Sequence, residues 1–234
     1  MIAGLQKMTL LDYPGRVACT VFLQGCNYAC PFCHNSELLC FEAAPFMAEE
    51  ELLTFLKKRQ GILDGVCITG GEPTLYAGLE NLLRQIKALG YHVKLDTNGS
   101  KPAVLRHLVE AGLVDYVAMD VKNSPDRYAQ TVGVPGLKLG SVEESLRYLI
   151  EGNVACELRT TLVRQLHDAA SIEEMGRWLA ALVPGKLPEV LYLQQFVDRD
   201  TVAFAGLSAP EEEDVRQFSH ILEANVRQVR IRGE

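Results

Sequence analysis

No apolar run in this 234-residue sequence approaches 18 residues, so nothing in it reads as a membrane-spanning helix. The opening "MIAGLQKMTLLDYPGR" has no long apolar core and carries Asp12 inside its short one, which argues against a secretory signal; a cytoplasmic protein is expected. A lysine- or arginine-rich stretch is missing too. With 23 Lys and Arg against 30 Asp and Glu the formal charge is −7, and nucleic acid is not expected as the main partner. There is no internal repeat, low-complexity tract or evident linker. An apolar fraction of 48% against 23% charged suits a chain that buries an ordinary core, and a single domain over residues 1–234 is expected.

One cysteine too few is the most informative shortage. The stretch "GCNYACPFCHN", Gly25 to Asn35, spaces Cys26, Cys30 and Cys33 as C-x3-C-x2-C, with no fourth thiol to close the set. The chain has seven cysteines, an odd count, and without a leader metal binding or catalysis is a better expectation than disulfides. Cys19, Cys67 and Cys156 lie in β-like apolar runs and are read as core; the role of Cys40, just after the loop, stays open. Pro31 pushes Cys30 toward extended geometry and cannot donate to a helix, so the three thiols sit on a loop. Two metal readings fit: a structural zinc that borrows His34, or an iron–sulfur cluster with one iron left open for substrate. His34 directly follows Cys33, whereas structural zinc ligands usually come as two separated pairs.

Strands and helices alternate along the chain. Apolar, β-branched runs occur at Arg16–Leu23, Gly65–Thr69, His92–Asp96, Tyr116–Val121, Cys156–Val163 and Val190–Phe196. They alternate little between apolar and polar, as strands covered on both faces do. Between them, "EEELLTFLKKR", "LENLLRQIKALG" and "AVLRHLVEAG" have helical periodicity, the last two stopping at Gly90 and Gly112. "SVEESLRYLIEG" and "SIEEMGRWLAAL" are expected to open with capping boxes, Ser141/Glu144 and Ser171/Glu174, and a last helix follows Ser208. Such β–α units imply a parallel sheet with right-handed crossovers. Six are too few for a closed eight-stranded barrel, so the expected fold is α/β, an incomplete parallel (β/α)6 barrel, with a flat doubly wound sheet as the alternative. "VRQVRIRG" would add a short edge strand.

In either architecture function gathers at the C-terminal ends of the strands. There the sequence reads, in order, "QGCNYACPFCHN", "TGGEPT", "DTNGS", "MDVKNS", "ELRTTLV" and "LQQF". Glycines, carboxylates, a lysine, an arginine and amides at one end of a sheet make a ligand site.

The C-x3-C-x2-C loop with Phe32 before its last cysteine, followed by "TGGEPT", "LDTNG" and "MDVK" at successive strand ends, resembles the radical S-adenosylmethionine (SAM) superfamily. More narrowly it is similar to glycyl-radical-enzyme activating proteins. "CPFCHN", "GGEP", "DTNG" and Asp-x-Lys match pyruvate formate-lyase-activating enzymes, and "GLQKMTLLDYPGRVACTVFLQGCN" looks closest to activators of anaerobic ribonucleoside-triphosphate reductase. The likeness of motifs runs from about Gly4 to Lys122; beyond, it rests on the βα rhythm.

The resemblance implies a [4Fe–4S] cluster on Cys26, Cys30 and Cys33, with SAM on the open fourth iron, and reductive cleavage of SAM to a 5′-deoxyadenosyl radical. Gly70 and Gly71 would offer carbonyls to the SAM ammonium, with Glu72 shaping the turn; a plain strand-to-helix turn is the other reading. Asp96 suits the ammonium or the ribose, or a turn; Asn98 joins it in "DTNG". Asp120 would take the ribose hydroxyls and Lys122 the carboxylate, against a surface pair at a strand end. Asp96, Thr97 and Asp120 match positions that hold a monovalent cation in the family. Arg159, a charge within a strand, would meet either the SAM carboxylate or a structural ion-pair partner. Where relatives have a histidine on the sixth strand, this chain has "LQQF", so Gln195 or Gln194 would substitute. His92, His107, His167 and His220 read as ordinary surface or helix residues, Trp178 and Phe218 as packing.

The implied reaction abstracts hydrogen from a glycine Cα on a partner glycyl radical enzyme, with a flavodoxin or ferredoxin as reductant in an anaerobic setting. No second cysteine-rich insert is present to hold auxiliary clusters, and no long insertion to wall off a small substrate. Two other readings are a radical SAM enzyme for a small molecule, similar to 7-carboxy-7-deazaguanine synthase, and a non-catalytic zinc-holding α/β module.

Overall fold

Near-continuous apolar runs become the inner strands, and the residues at three- and four-residue spacing become the helices that cover them. The computed structural model describes residues 1–39 and 44–232. Cys40 lies outside the described residues. The chain divides into two compact units, the first of residues Met1–Asn27, Glu37–Thr97 and Lys101–Ala118, the second of Tyr28–Ser36, Asn98–Ser100 and Met119–Glu234.

In the first unit, strand β1 (Ile2–Thr9) runs antiparallel to β2 (Ala18–Leu23). β2 is parallel to β3 (Gly65–Gly70), which is parallel to β4 (His92–Thr97). Register pairs Cys19 with Val66 and Cys67 with Lys94, bringing three strand C-termini to one edge of the unit. Helices α1 (Glu49–Lys57), α2 (Leu79–Ala88) and α3 (Pro102–Glu110) bury Leu52 and Leu56, Leu79, Leu82, Leu83 and Ile86, and Leu105 and Leu108, each set on one helix face. Gly90 and Gly112 follow α2 and α3 with φ of 88° and 67°, in the left-handed conformation that ends a helix most cheaply at glycine.

Strand β5 (Tyr116–Asp120) is shared. Asp115, just before it, donates to Val93 O within the first unit; Val121, just after it, donates to Arg159 O within the second. The second unit holds α4 (Pro125–Thr131), α5 (Gly140–Ile150), β6 (Ala155–Leu162), α6 (Ala169–Ala181), β7 (Val190–Gln195), α7 (Glu212–Leu222) and β8 (Gln228–Arg232). β6, β7 and β8 are parallel in that order. The six expected strands correspond to β2–β7, and the edge strand at the C-terminus is β8.

Three features differ from the sequence reading. β1 went unseen because register shifts between Ile2 and Gly4 and between Gln6 and Thr9 break its alternation. α4, at seven residues, is too short to show a period. The capping boxes are displaced: α5 starts at Gly140 with Leu139 at its boundary, leaving Ser141 inside the helix. α6 is capped by Asp168, whose Oδ1 accepts from Ser171 N at 2.9 Å while Ser171 Oγ accepts from Asp168 N at 3.1 Å. Ser171 is therefore the third-position partner, not the cap. Among the described residues no helix is long and apolar enough to cross a membrane.

Candidate functional site

In the first unit the C-terminal ends of β2 and β3 are bonded together. Gly71 N donates to Leu23 O at 2.8 Å, and Glu72 N to Gly25 O at 2.8 Å. The approach is so close that only glycine fits: a Cβ on Gly71 would lie 2.2 Å from Gly25 O and 3.3 Å from Cys26 Cβ. One on Gly70, whose φ is 119°, would lie 2.2 Å from Leu23 O. The Gly-Gly pair thus presses the strand-end turn against the backbone that carries Cys26. Glu72, 1% exposed, accepts from Thr74 N at 3.0 Å, from Thr74 Oγ1 and from Thr97 Oγ1 at 2.8 Å, tying the β3 turn to the end of β4. Its part in shaping the turn is visible in those bonds. Asp96, at the end of β4, pairs with the buried Lys94.

In the second unit, Cys33 N bonds Cys30 O at 3.1 Å, folding the cysteine stretch into a turn after Pro31. Ala29 N donates to Val132 O at 2.9 Å, and Gly133, φ 66°, comes so near that its Cβ would meet Ala29 O at 2.4 Å. Phe32, 4% exposed, packs with Val163 and Phe196, and Cys30 rests against that cluster. Lys122 Nζ stands 5.9 Å from the Phe32 ring centre and 2.9 Å from Asp120 Oδ2. Arg159 reaches Asp120 Oδ1 at 3.0 Å. Burial by itself would raise the Asp120 pKa; Arg159 and Lys122 overcome it and hold the carboxyl at about 2. For Lys122 burial works against the charge, and Asp120 first, then Cys30, more than restore it, so its pKa is raised. Arg159 therefore has the ion-pair partner that a charge in a strand requires, and Asp120 and Lys122 form a half-buried pair at a strand end.

Asn98 Oδ1 accepts from Ser100 N at 2.9 Å, which makes it the turn residue of "DTNG". Gln195 ends β7, partnered in register with Leu162 of β6. Gly70, Gly71, Glu72 and Asp96 of the first unit and Asn98, Asp120, Lys122 and Gln195 of the second fall at or just beyond strand ends; Cys26 of the first unit and Cys30, Phe32 and Cys33 of the second lie on the loop after β2, and Arg159 lies inside β6.

The other cysteines and histidines sort themselves. Burial pushes the Cys19 thiol up to about 12 and that of Cys156 to about 11, so neither offers a thiolate at neutral pH. Cys19 and Cys67 are core; Cys156 is half-buried, its thiol 3.8 Å from Leu149 O. His34 is engaged elsewhere through one nitrogen and its ring face: its Nε2 bonds Val197 O at 2.7 Å and its ring stacks on Phe196 with centres 5.5 Å apart. His167 is not a surface residue. At 4% exposure its Nδ1 accepts from Val163 N at 3.1 Å, and its Nε2 bonds Lys122 O at 2.9 Å, fixing the backbone of the lysine. Nothing in "QLHDAA" distinguishes it from a surface histidine, because both partners are main-chain atoms.

The donor set is three thiols on one loop, the ligand type that iron–sulfur clusters take; among the described residues no three His, Cys, Asp or Glu are gathered to hold a metal ion. The glycine turn against Cys26 and the lysine charge beside Cys30 suit thiolates on a tightly held loop.

The sequence profile of the radical SAM superfamily matches residues 20–179. A Methanocaldococcus jannaschii protein provisionally assigned as a glycyl-radical enzyme activating enzyme is 32% identical over 246 aligned positions, covering 99% of this chain and 95% of its own. The 7-carboxy-7-deazaguanine synthase of Thermococcus kodakarensis is 28% identical, covering 76% of this chain and 74% of its own. Among solved structures, a domain of the pyruvate-formate lyase-activating enzyme of Bacteroides vulgatus superposes with a TM-score of 0.57 at 22% identity, covering 72% of this chain and 99% of that one. The last shows the fold: α/β with parallel strands, structurally similar to radical SAM enzymes, as the alternating strands and helices had implied. The chain belongs to the radical SAM superfamily, on its branch of glycyl-radical-enzyme activating enzymes.

Proposed function

We propose that residues 1–234 act as one catalytic domain that binds a [4Fe–4S] cluster and SAM and abstracts a hydrogen from a glycine of a glycyl radical enzyme, anaerobic ribonucleoside-triphosphate reductase being the expected partner. The observation that carries the reading is the glycine turn locked onto the Cys26 backbone in a chain matched from end to end by an activating-enzyme relative. Cys26, Cys30 and Cys33 would hold three irons. When bound, the reduced cluster and SAM supply methionine and a 5′-deoxyadenosyl radical. Gly70 and Gly71 let the main chain come close to the ligand, and Glu72 keeps that turn in place. Lys122 carries the charge for the SAM carboxylate, Asp120 accepts from the ribose, and Arg159 keeps Asp120 ionised. Asp96 and Asn98 serve SAM at the end of β4, Gln195 at the end of β7, and Phe32 screens the site. A flavodoxin or ferredoxin would supply the electron.

The likeness to the T. kodakarensis synthase supports a second reading, a small-molecule substrate. One experiment separates them. The protein is reconstituted anaerobically with iron and sulfide, reduced with dithionite and given SAM, with Cys30→Ala as control. Formation of 5′-deoxyadenosine by the wild type alone is expected, together with a glycyl radical signal in added reductase. 5′-Deoxyadenosine without a radical on any glycyl radical enzyme would favour the small molecule. Failure to take up iron would overturn both readings.

A further inference from the structure

Lys94 sits inside β4 with 1% of its surface exposed. A lysine so deeply buried keeps its charge only beside an anion. Strand periodicity puts residues 94 and 96 on the same face, and Lys94 Nζ donates to Asp96 Oδ1 in an ion pair. On β3, in register with Lys94, Cys67 faces the same pair: Nζ lies 3.9 Å from its Sγ, and the thiol donates to Asp96 Oδ1 at 3.7 Å. The ammonium is thus tethered to the strand that carries Asp96, and its position is set by packing before any ligand arrives.

We propose that Lys94 is a positioning residue that supplies Asp96 with a built-in monovalent charge. The chain then needs no alkali cation at that carboxylate, in contrast to the cation site the family resemblance implies. Asp96, already compensated, is presented to SAM as a hydrogen-bond acceptor and not as a counter-charge for the SAM ammonium. That last step rests on the SAM reading above; the cation step does not.

The test uses Lys94→Met in the full chain. Thermal unfolding of the cluster-free protein is compared in potassium, sodium and choline chloride at matched ionic strength. The wild type is expected to unfold at one temperature in all three. Lys94→Met is expected to be stabilised by potassium or sodium over choline, because an alkali ion can enter the position that the ammonium leaves beside Asp96. A purely structural ion pair gives no such rescue. A wild type stabilised by alkali ions, or a variant indifferent to them, overturns the proposal.

The second readout is SAM affinity by anaerobic equilibrium dialysis. Lys94→Met, whose Asp96 is left uncompensated in choline, is expected to bind the cationic SAM about tenfold more tightly there and to return toward wild-type affinity in potassium. Unchanged affinity in choline overturns the SAM step. If Lys94→Met fails to fold, Lys94→Met/Asp96→Asn removes both charges and is expected to unfold identically in the three salts; stabilisation by alkali ions in that variant overturns the proposal as well. A wild type that binds no SAM would end the SAM reading, while the unfolding comparison still decides the cation step.

Discussion

Arg159 grips Asp120 through both Nε and Nη2, each 3.0 Å from the same carboxylate oxygen, Oδ1. The other oxygen, Oδ2, belongs to Lys122 at 2.9 Å. One aspartate therefore divides its two oxygens between two cations on different parts of the second unit.

The pH dependence follows from that division. The folded pKa of Asp120 is depressed from the ordinary 3.8 to about 2, so its contribution is fully present above 3.8 and is lost as pH falls through the folded value. The shift corresponds to about 2 kcal/mol at neutral pH. Asp120→Asn is expected to be less stable than wild type by that order in urea unfolding at neutral pH, with the gap closing as the buffer approaches about pH 2. A gap independent of pH would show that the charges are not the cause.

His167 has the opposite chemistry and the same sign. Burial lowers its pKa below the ordinary 6.5, so the folded state holds fewer protons than the unfolded one and stability rises with pH. Wild type is expected to weaken as pH falls below about 6.5, and His167→Gln to show a flatter profile and a loss of about 1–3 kcal/mol at neutral pH from unsatisfied main-chain partners. Unfolding curves across that range check both.

Gly71→Ala places a methyl 2.2 Å from Gly25 O, so the turn and the Cys26 backbone must separate. A cost of roughly 1–3 kcal/mol is expected from overpacking, with reduced iron retention after reconstitution. Gly140→Ala is the control: its Cβ would meet nothing within 4 Å, and as the first residue of α5 it is expected to stabilise by up to about 1 kcal/mol and leave iron content unchanged.

Arg232, in β8, holds the fully buried Glu157 through two bonds of 3.2 and 3.1 Å and covers the Tyr192 ring at 3.9 Å. Arg232→Met is expected to cost up to about 3–5 kcal/mol, because it removes a cation from beside a buried carboxylate, and Glu157→Gln/Arg232→Met to recover most of it. Chemical denaturation of the two variants measures the difference, and a double variant as unstable as the single would refute the charge explanation.

Much of the fold was legible because burial leaves a plain mark: β2, β3 and β5 are nearly continuous apolar runs, β4, β6 and β7 keep apolar residues around their polar ones, and α2 repeats leucines on one face. β1 was hidden by its irregular pairing and α4 by its shortness. Of the site, the residue types and their strand-end positions were readable, since the cysteine spacing, the paired glycines and the Asp-x-Lys are local patterns. Which charge meets which was not. Nothing in the sequence marks Lys94 or Gly133, and His167 reads as a surface or helix residue, because their partners, Asp96, Ala29 and the main chain at Lys122, are set by packing.

The sequence by itself determined the order of β2 to β7 and of the helices between them other than α4, the loop with three thiols and the strand ends where the candidate residues gather, because hydrophobic period and backbone-restricting residues act over a few neighbours. Only the tertiary structure decided that Gly71 is pressed on Cys26, that Arg159 belongs to Asp120 and that Lys94 belongs to Asp96. Those relations depend on register between strands and on which faces are buried, and a buried charge takes the partner that the packing brings within reach.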